Sequence, residues 1–336
     1  MLVTGAAGSI GSALATALVG SGVERLLLLD SSETGLSELQ SHLTGAFNET
    51  TIESALGSVD DEVFLRSLLS RHRVDVVYHA AAWKHVPQLE NHPFSTLRNN
   101  GLGTHTLAQA AIRAGVSKLV LISTDKAVNP RSVMGVSKRI AELAVVSSSS
   151  AACRMNAIRL CNVIGSSGSV VPIFLEQIAR RQPVTVTHPQ ARRWFLTVQE
   201  AVEAILECGS SCQQGKVLLP AVTEPVLIAD LARDLIRSAG QGWPGEVTYI
   251  GLRPGEKLIE EMMSERERPV GREGRLTVLE TPRLGREELR ALIEELGARI
   301  ALRDLPGLLR TVHSVVPEYV PSVPILRQAA TAAVPA

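Results

Sequence analysis

Short apolar runs alternate with longer amphipathic stretches through the first half of the chain. "LVTG", "RLLLLD", "VDVVYHAA", "KLVLISTD" and "MNAIRLCNVIG" are brief and mostly apolar, as strands buried on both faces must be. Between them, residues 10–20, 62–72, 103–114 and 137–147 repeat apolar positions at helical spacing. The alternation predicts an α/β fold, a doubly wound parallel sheet with helices on both faces. "SSSSAA" (147–152) reads as a polar loop between helix and strand.

Beyond about residue 166 the rhythm loosens. Pro172, Pro183, Pro189, Pro220, Pro225, Pro244 and Pro254 punctuate shorter elements, while "VQEAVEAILEC" and "LIADLARDLIRSAG" still read as helices. The expected division is a domain over 1–165, with segments returning from the C-terminal half, and a smaller lobe over 166–315 at the carboxyl edge of the sheet. Residues 316–336, rich in Pro, Val and Ala, are expected to form a flexible tail.

Composition narrows the choice of partner. Of 336 residues, 45% are hydrophobic and 20% charged, which is a globular balance. The net charge is zero and the pI about 7.1, so bulk charge favours neither nucleic acid nor an anionic membrane. Cys153, Cys161, Cys208 and Cys212 lack a second pair at zinc spacing and read as reduced, buried thiols, with no metal expected. No apolar run reaches the roughly 20 residues that span a bilayer, so a cytoplasmic setting is expected. Met1 opens inside the first strand, so the chain either starts abruptly or is the downstream part of something longer.

The chemistry begins at "TGAAGSIG". Gly5, Gly8 and Gly11 fall between the first strand and the first helix, where a phosphate can approach backbone N–H groups unobstructed. Asp30 closes the next strand, nineteen residues after Gly11, at the distance where a carboxylate meets an adenosine ribose. It would accept from a free 2′-hydroxyl and repel a 2′-phosphate, favouring NAD over NADP; the alternative is a carboxylate that caps the next turn. This makes the predicted sheet Rossmann-like. Ser9, Ile10, Ser58, Val59 and the small residues Ala80, Ala81 and Ala82 complete the candidate cofactor surface. Asn100 either braces a neighbouring strand or the catalytic shell, or is a buried structural amide.

Seven stretches in order, "VTGAAGSIGS", "HAAAWKHV", "NNGLGT", "STDKAVNP", the Lys138 helix, "LCNVIGSSGSVVPIF" and "GLRPGEKLIEEM", together closely resemble the nucleotide-sugar 4,6-dehydratases of the extended short-chain dehydrogenase/reductase superfamily. The nearest branch resembles the UDP-N-acetylglucosamine 4,6-dehydratases of bacterial polysaccharide and glycan biosynthesis. Short members carry Tyr-x-x-x-Lys. Here Met134 precedes Lys138, as in the large membrane-anchored members, so the chain looks like the catalytic domain of such a protein. The resemblance also implies a homo-oligomer.

What the resemblance implies chemically is oxidation at C4 of the sugar, loss of water across C5 and C6, and return of the same hydride to C6. Asp125 is then the acid and Lys126 the base, and desolvation in a closed site is expected to favour the neutral pair over the ion pair. Lys138 holds the nicotinamide ribose, Thr124 hydrogen-bonds the C4 hydroxyl, and Met134 fills apolar space. Arg193 and Arg253 match diphosphate contacts, although Arg192 replaces the usual threonine. Asn162, Ser169 and Val170 line the sugar pocket, and Lys84 either faces sugar or cofactor or is solvent-exposed. A related epimerase, a dehydratase of another nucleotide sugar and a non-catalytic NAD-binding module are the alternatives.

Overall fold

The computed structural model describes residues 1–47, 49–166, 168–239 and 245–332. Ser167, Gly240, Pro244 and 333–336, each part of a stretch read above, lie outside them. The first half builds six parallel strands: β1 (Leu2–Thr4), β2 (Arg25–Asp30), β3 (Thr51–Leu56), β4 (Val76–His79), β5 (Lys118–Thr124) and β6 (Arg154–Leu160). Their spatial order is β6-β5-β4-β1-β2-β3, reversing direction of growth at β1 and β4. Val217–Leu219 adds beside β6 in parallel, and the hairpin of Arg268–Glu273 and Leu276–Glu280 continues the sheet antiparallel. The Rossmann-like α/β fold is thus the observed one.

The leucine run of β2 shows why the sheet is covered twice. Successive side chains on a strand point to opposite faces. Leu26 and Leu28 pack with Leu14, Leu18 and Ile205, whereas Leu27 and Leu29 pack with Leu65, Leu69 and Leu107. β3 and the helix Glu33–Ala46 escape the hydrophobic pattern. "TIESAL" is an edge strand on which Ile52 is the buried side chain, so its apolar signal is faint.

Three expectations are corrected. "MNAIRLCNVIG" is not one strand: the chain leaves the sheet after Leu160, and Asn162–Val163 pairs with Phe195–Leu196. Residues 316–332, expected to be flexible, are held in place. Val316 and Tyr319 pack with Val136, Ile140 and Leu308, and the helix Val323–Ala332 follows. Cys212 is exposed beyond the end of the helix Val198–Ser210; the other three cysteines are buried.

Much of the second half serves the first domain, because the helices Arg286–Ala301 and Leu305–Val315 pack on the helix Val133–Ser148. A separate small core of Phe174, Ile178, Val184, Val186 and Ile228 forms the lobe that overhangs the carboxyl ends of the strands.

Candidate active site

Two neighbouring cavities open at those strand ends, sharing Ala80, Ala82 and Trp83 in their walls. The smaller, about 330 Å³, is lined by Gly5, Gly8, Asp30, Ser58, Val59 and Ala81 among others. Gly5 adopts φ +66°, and a Cβ there would lie 2.5 Å from the Ala81 nitrogen. A Cβ on Gly11 would lie 2.0 Å from the Gly5 oxygen. Glycine is required at both places by close backbone approach. Asp30 is tied at both oxygens: Oδ2 accepts from the Ala7 N–H (2.9 Å) and Oδ1 from the Ser32 N–H (2.9 Å). It caps the turn and also lines the cavity.

Of the other cofactor candidates, Ile10 lines the larger cavity, while Ser9, Gly11 and Asn100 line neither. Asn100 is fully buried in a π-helical turn, Leu97–Leu102. Its Oδ1 accepts from the Trp83 N–H (2.9 Å), and its Nδ2 donates to Trp83 O (2.9 Å) and Ser137 Oγ (2.9 Å). Its position is therefore that of a clamp joining the loop after β4 to the helix that carries Lys138. Beneath that loop lies His79, fully buried and pushed down to about 3 by burial and by Lys138. Thr104 donates to Asn100 O (2.6 Å), so it accepts from His79 Nε2 (2.9 Å); Nδ1 then accepts from Thr4 Oγ1 (2.7 Å). One neutral imidazole fixes β1, β4 and the helix Gly103–Arg113 under the loop after β4.

The larger cavity, about 460 Å³, gathers residues far apart in sequence. Lys84, Asn162, Ser169, Val170, Arg193 and Arg253 all line it. So do Thr124, Lys126, Met134 and Lys138. Thr124 and Lys126 stand two residues apart, as positions on one face of a strand do, and at the end of β5 a 3-10 turn, Asp125–Ala127, brings in toward them Asp125, which a continuing strand would send to the opposite face.

Asp125 sits behind that pair, fully buried. Its Oδ1 accepts from Thr124 Oγ1 (2.9 Å) and Lys126 Nζ (2.9 Å), while Oδ2 has no hydrogen-bond partner among the described residues. Lys126 also donates to Asn162 Oδ1 (3.1 Å). Its side chain is 23% exposed, and the exposed part faces the cavity. Burial alone would lower its proton affinity, but Asp125 and Glu260 more than reverse this and hold the ammonium above the ordinary lysine range. The expectation of a neutral pair is therefore corrected. The turn that brings the two side chains together places them as an ion pair at 2.9 Å.

Lys138 differs. It is buried, donates to Ile122 O (2.8 Å), and is pushed down to about 8 by burial, only partly offset by Glu142. Met134, one turn earlier on the same helix, is 3% exposed and forms part of the cavity wall. Ser132 caps that helix, its Oγ accepting from the Gly135 N–H (3.0 Å), and buried Glu90 accepts from the Val133 N–H (2.6 Å).

Arg193 is half-committed to the protein, with NH1 donating to Arg192 O (2.8 Å) and Leu258 O (3.1 Å). Two residues of this neighbourhood escaped sequence reasoning. Glu260 and Lys257 lie in "RPGEKLIEEM", where charge density reads as exposed surface, yet Glu260 is 4% exposed.

A family model described as "Polysaccharide biosynthesis protein" matches residues 1–276. The chain belongs to this family. A relative is the capsular polysaccharide biosynthesis protein CapD of Staphylococcus aureus, 40% identical over 271 residues, 80% of this chain and 45% of CapD. The chain thus spans about half the length of that relative. The UDP-glucose 4-epimerase of Rickettsia rickettsii (strain Sheila Smith) is 32% identical over 278 residues, 80% of this chain and 78% of the epimerase. Among solved structures, the family fold is shared by DesIV, the dTDP-glucose 4,6-dehydratase of Streptomyces venezuelae with NAD and TYD bound. The TM-score is 0.69 at 22% identity, covering 78% of this chain and 87% of that one. Among the described residues, no helix is long and apolar enough to cross a membrane.

Proposed function

We propose that the chain is the catalytic region of an NAD-dependent nucleotide-sugar 4,6-dehydratase acting on UDP-N-acetylglucosamine in polysaccharide biosynthesis. The observation that carries this reading is the junction of the two cavities. A glycine cradle with Asp30 at its rim meets a larger cavity into which Thr124, Lys126 and Lys138 all open. The cradle fits a dinucleotide, since Gly5 and Gly8 line it without side chains, and Asp30 favours a free ribose over its 2′-phosphate. NAD, when bound, would supply the acceptor and later the donor of the sugar's hydride.

The side chains then divide the remaining work. Lys138 would hold the nicotinamide ribose with the donors of its amine that Ile122 O does not take. Thr124 would bind the C4 hydroxyl, its own proton already directed at Asp125 (2.9 Å). Lys126 would take the C5 proton, and Asp125 would supply a proton for the departing C6 hydroxyl. With Lys126 Nζ donating directly to Asp125 Oδ1 (2.9 Å), the two act as a coupled pair and exchange one proton between them. Arg193 and Arg253 would meet the diphosphate, as guanidiniums do in pairs.

An epimerase is the second reading, favoured by the R. rickettsii relative. Mass spectrometry of purified protein incubated with UDP-N-acetylglucosamine and no added cofactor separates them. A product lighter by one water supports the dehydratase and a retained cofactor. A product of unchanged mass and altered C4 configuration would replace it with the epimerase. No product with cofactor added, in a protein that binds both ligands, would turn the reading to another sugar.

A further inference from the structure

Seven residues after Arg253, the same loop buries a carboxylate to which the scheme above gives no role. Glu260 Oε1 lies 4.0 Å from Lys126 Nζ and 4.0 Å from Arg193 Nε, and Oε2 lies 3.8 Å from Lys257 Nζ. Oε2 is buried without a hydrogen-bond partner among the described residues. The backbone around it is pinned: the Arg192 N–H donates to Leu258 O (3.0 Å), and Trp194 Nε1 donates to Glu260 O (3.1 Å). The strand that carries Arg193 thus also aims Glu260.

Carboxylates that only hold this fold together look different. Glu142 takes two guanidinium bonds from Arg159 at 2.7 and 3.0 Å, and Glu267 takes two more at 2.9 and 3.0 Å. Glu260 instead stands just outside bonding distance of three cations, one of them in the proton-transfer pair.

We infer that Glu260 is a positioning residue that fixes the charge of Lys126, holding it as an ammonium between two carboxylates. The inference rests on Lys126 being the proton-transfer group of the site. Its chemical sense lies in the base it creates. An amine whose conjugate acid is stabilised binds a proton more strongly, which abstraction of a C–H beside a carbonyl demands, although less of it is free at neutral pH. The other groups facing Lys126 are Asp125 from its own turn, Arg193 from the neighbouring strand, the neutral amide of Asn162, and Cys161. Burial pushes the Cys161 thiol up to about 12, so it carries no charge.

The test reads the amine itself, without turnover. Trace acetic anhydride at one mildly alkaline pH acetylates each lysine in proportion to its neutral fraction, and peptide mass spectrometry compares Lys126 with the distant Lys216. Glu260→Gln should raise Lys126 acetylation by about tenfold or more. Glu260→Asp, which keeps the charge, should stay near the wild-type rate. Arg193→Gln should change it in the opposite sense, because a cation that opposes the ammonium is gone and Glu260 is left less neutralised. An unchanged rate in Glu260→Gln, or an equal rise in Glu260→Asp, overturns the inference. Lys118, whose amine donates to Ser211 O (2.9 Å), reports on folding. If Lys118 becomes reactive in Glu260→Gln, Arg193→Gln decides, and a rise or no change there refutes the role. Because no sugar is present, a shifted Lys126 in a protein that fails to dehydrate UDP-N-acetylglucosamine would sink the proposed substrate alone.

Discussion

Replacing Arg159 by methionine should destabilise the protein by about 3–5 kcal/mol, the usual result of stranding a buried charge. Arg159 is completely buried and makes five hydrogen bonds, to Glu142, Glu267 and the carbonyl of Met262. Arg139 donates to Glu142 (3.0 Å) and Glu267 (3.3 Å), so two guanidiniums balance two carboxylates. The magnitude can be checked from the other side. Burial alone would raise Glu267, but the guanidiniums more than reverse this and hold it at about 2 rather than 4.5. A carboxyl so held contributes about 3 kcal/mol at neutral pH. Because its folded value is depressed, that contribution is complete above pH 4.5 and is lost as pH falls toward 2. In Arg159→Met the same carboxylate loses its two closest guanidinium bonds and keeps only Arg139 (3.3 Å) to balance a charge it shares with Glu142, so acid should relieve the defect rather than create one. Urea unfolding followed by circular dichroism should therefore show a large gap between wild type and variant at pH 7 that closes on acidification through this window. A cost below about 1 kcal/mol at neutral pH, or a gap independent of pH, would refute the reasoning. Adding Glu267→Gln should recover part of the loss, with a coupling of about 0.5–3 kcal/mol.

Other outcomes follow from the same geometry. Asp125→Asn and Lys126→Ala should each lower turnover by about a hundredfold or more, whereas Met134→Leu should leave it nearly unchanged, as steady-state kinetics with a mass readout would show. Lys138→Met should abolish activity yet raise the melting temperature at neutral pH. A lysine held at about 8 in the folded state, against 10.5 ordinarily, favours unfolding below that window, and wild-type stability should rise with pH across it. Asp30→Ala should weaken NAD binding about tenfold or more in calorimetry, and relax the bias against NADP, because it frees the Ala7 and Ser32 N–H groups and removes the repelling charge.

The buried ion quartet also shows where sequence reading ran out. β1, β2, β4 and β5 were legible because each is an uninterrupted apolar run, and the candidate site at the end of β5 because Thr124, Asp125 and Lys126 are adjacent. The glycine cradle and Asp30 were legible because local spacing imposes them. Glu142, Arg159 and Glu267 were not: the partners lie 17 and 108 residues apart, and a charged residue in sequence looks the same whether solvated or enclosed. The hold on the C-terminal segment was hidden for a similar reason. Val320 N–H donates to Pro130 O (3.1 Å) and Ser322 Oγ to Glu90, contacts that a Pro- and Val-rich composition does not announce.

These hidden contacts converge on the chemistry. Ser123, immediately before Thr124, donates to Glu142 (2.6 Å), and Glu142 acts electrostatically on Lys138. Glu90 and Ser132 cap the helix that carries Lys138, and Asn100 binds that helix to the loop after β4. Thr124, Asp125 and Lys126 are adjacent in sequence, whereas the residues that set the charge and direction of the site's side chains are drawn from the whole chain. That division has a kinetic consequence. If Lys126 must shed a proton before it can take one from C5, and Asp125 and Glu260 oppose that loss, the activity of the free enzyme should climb with pH through the alkaline range. A rate that is already flat at neutral pH would mean that the proton moves from Lys126 to Asp125 within the bound complex, where the pair's 2.9 Å contact allows transfer without solvent.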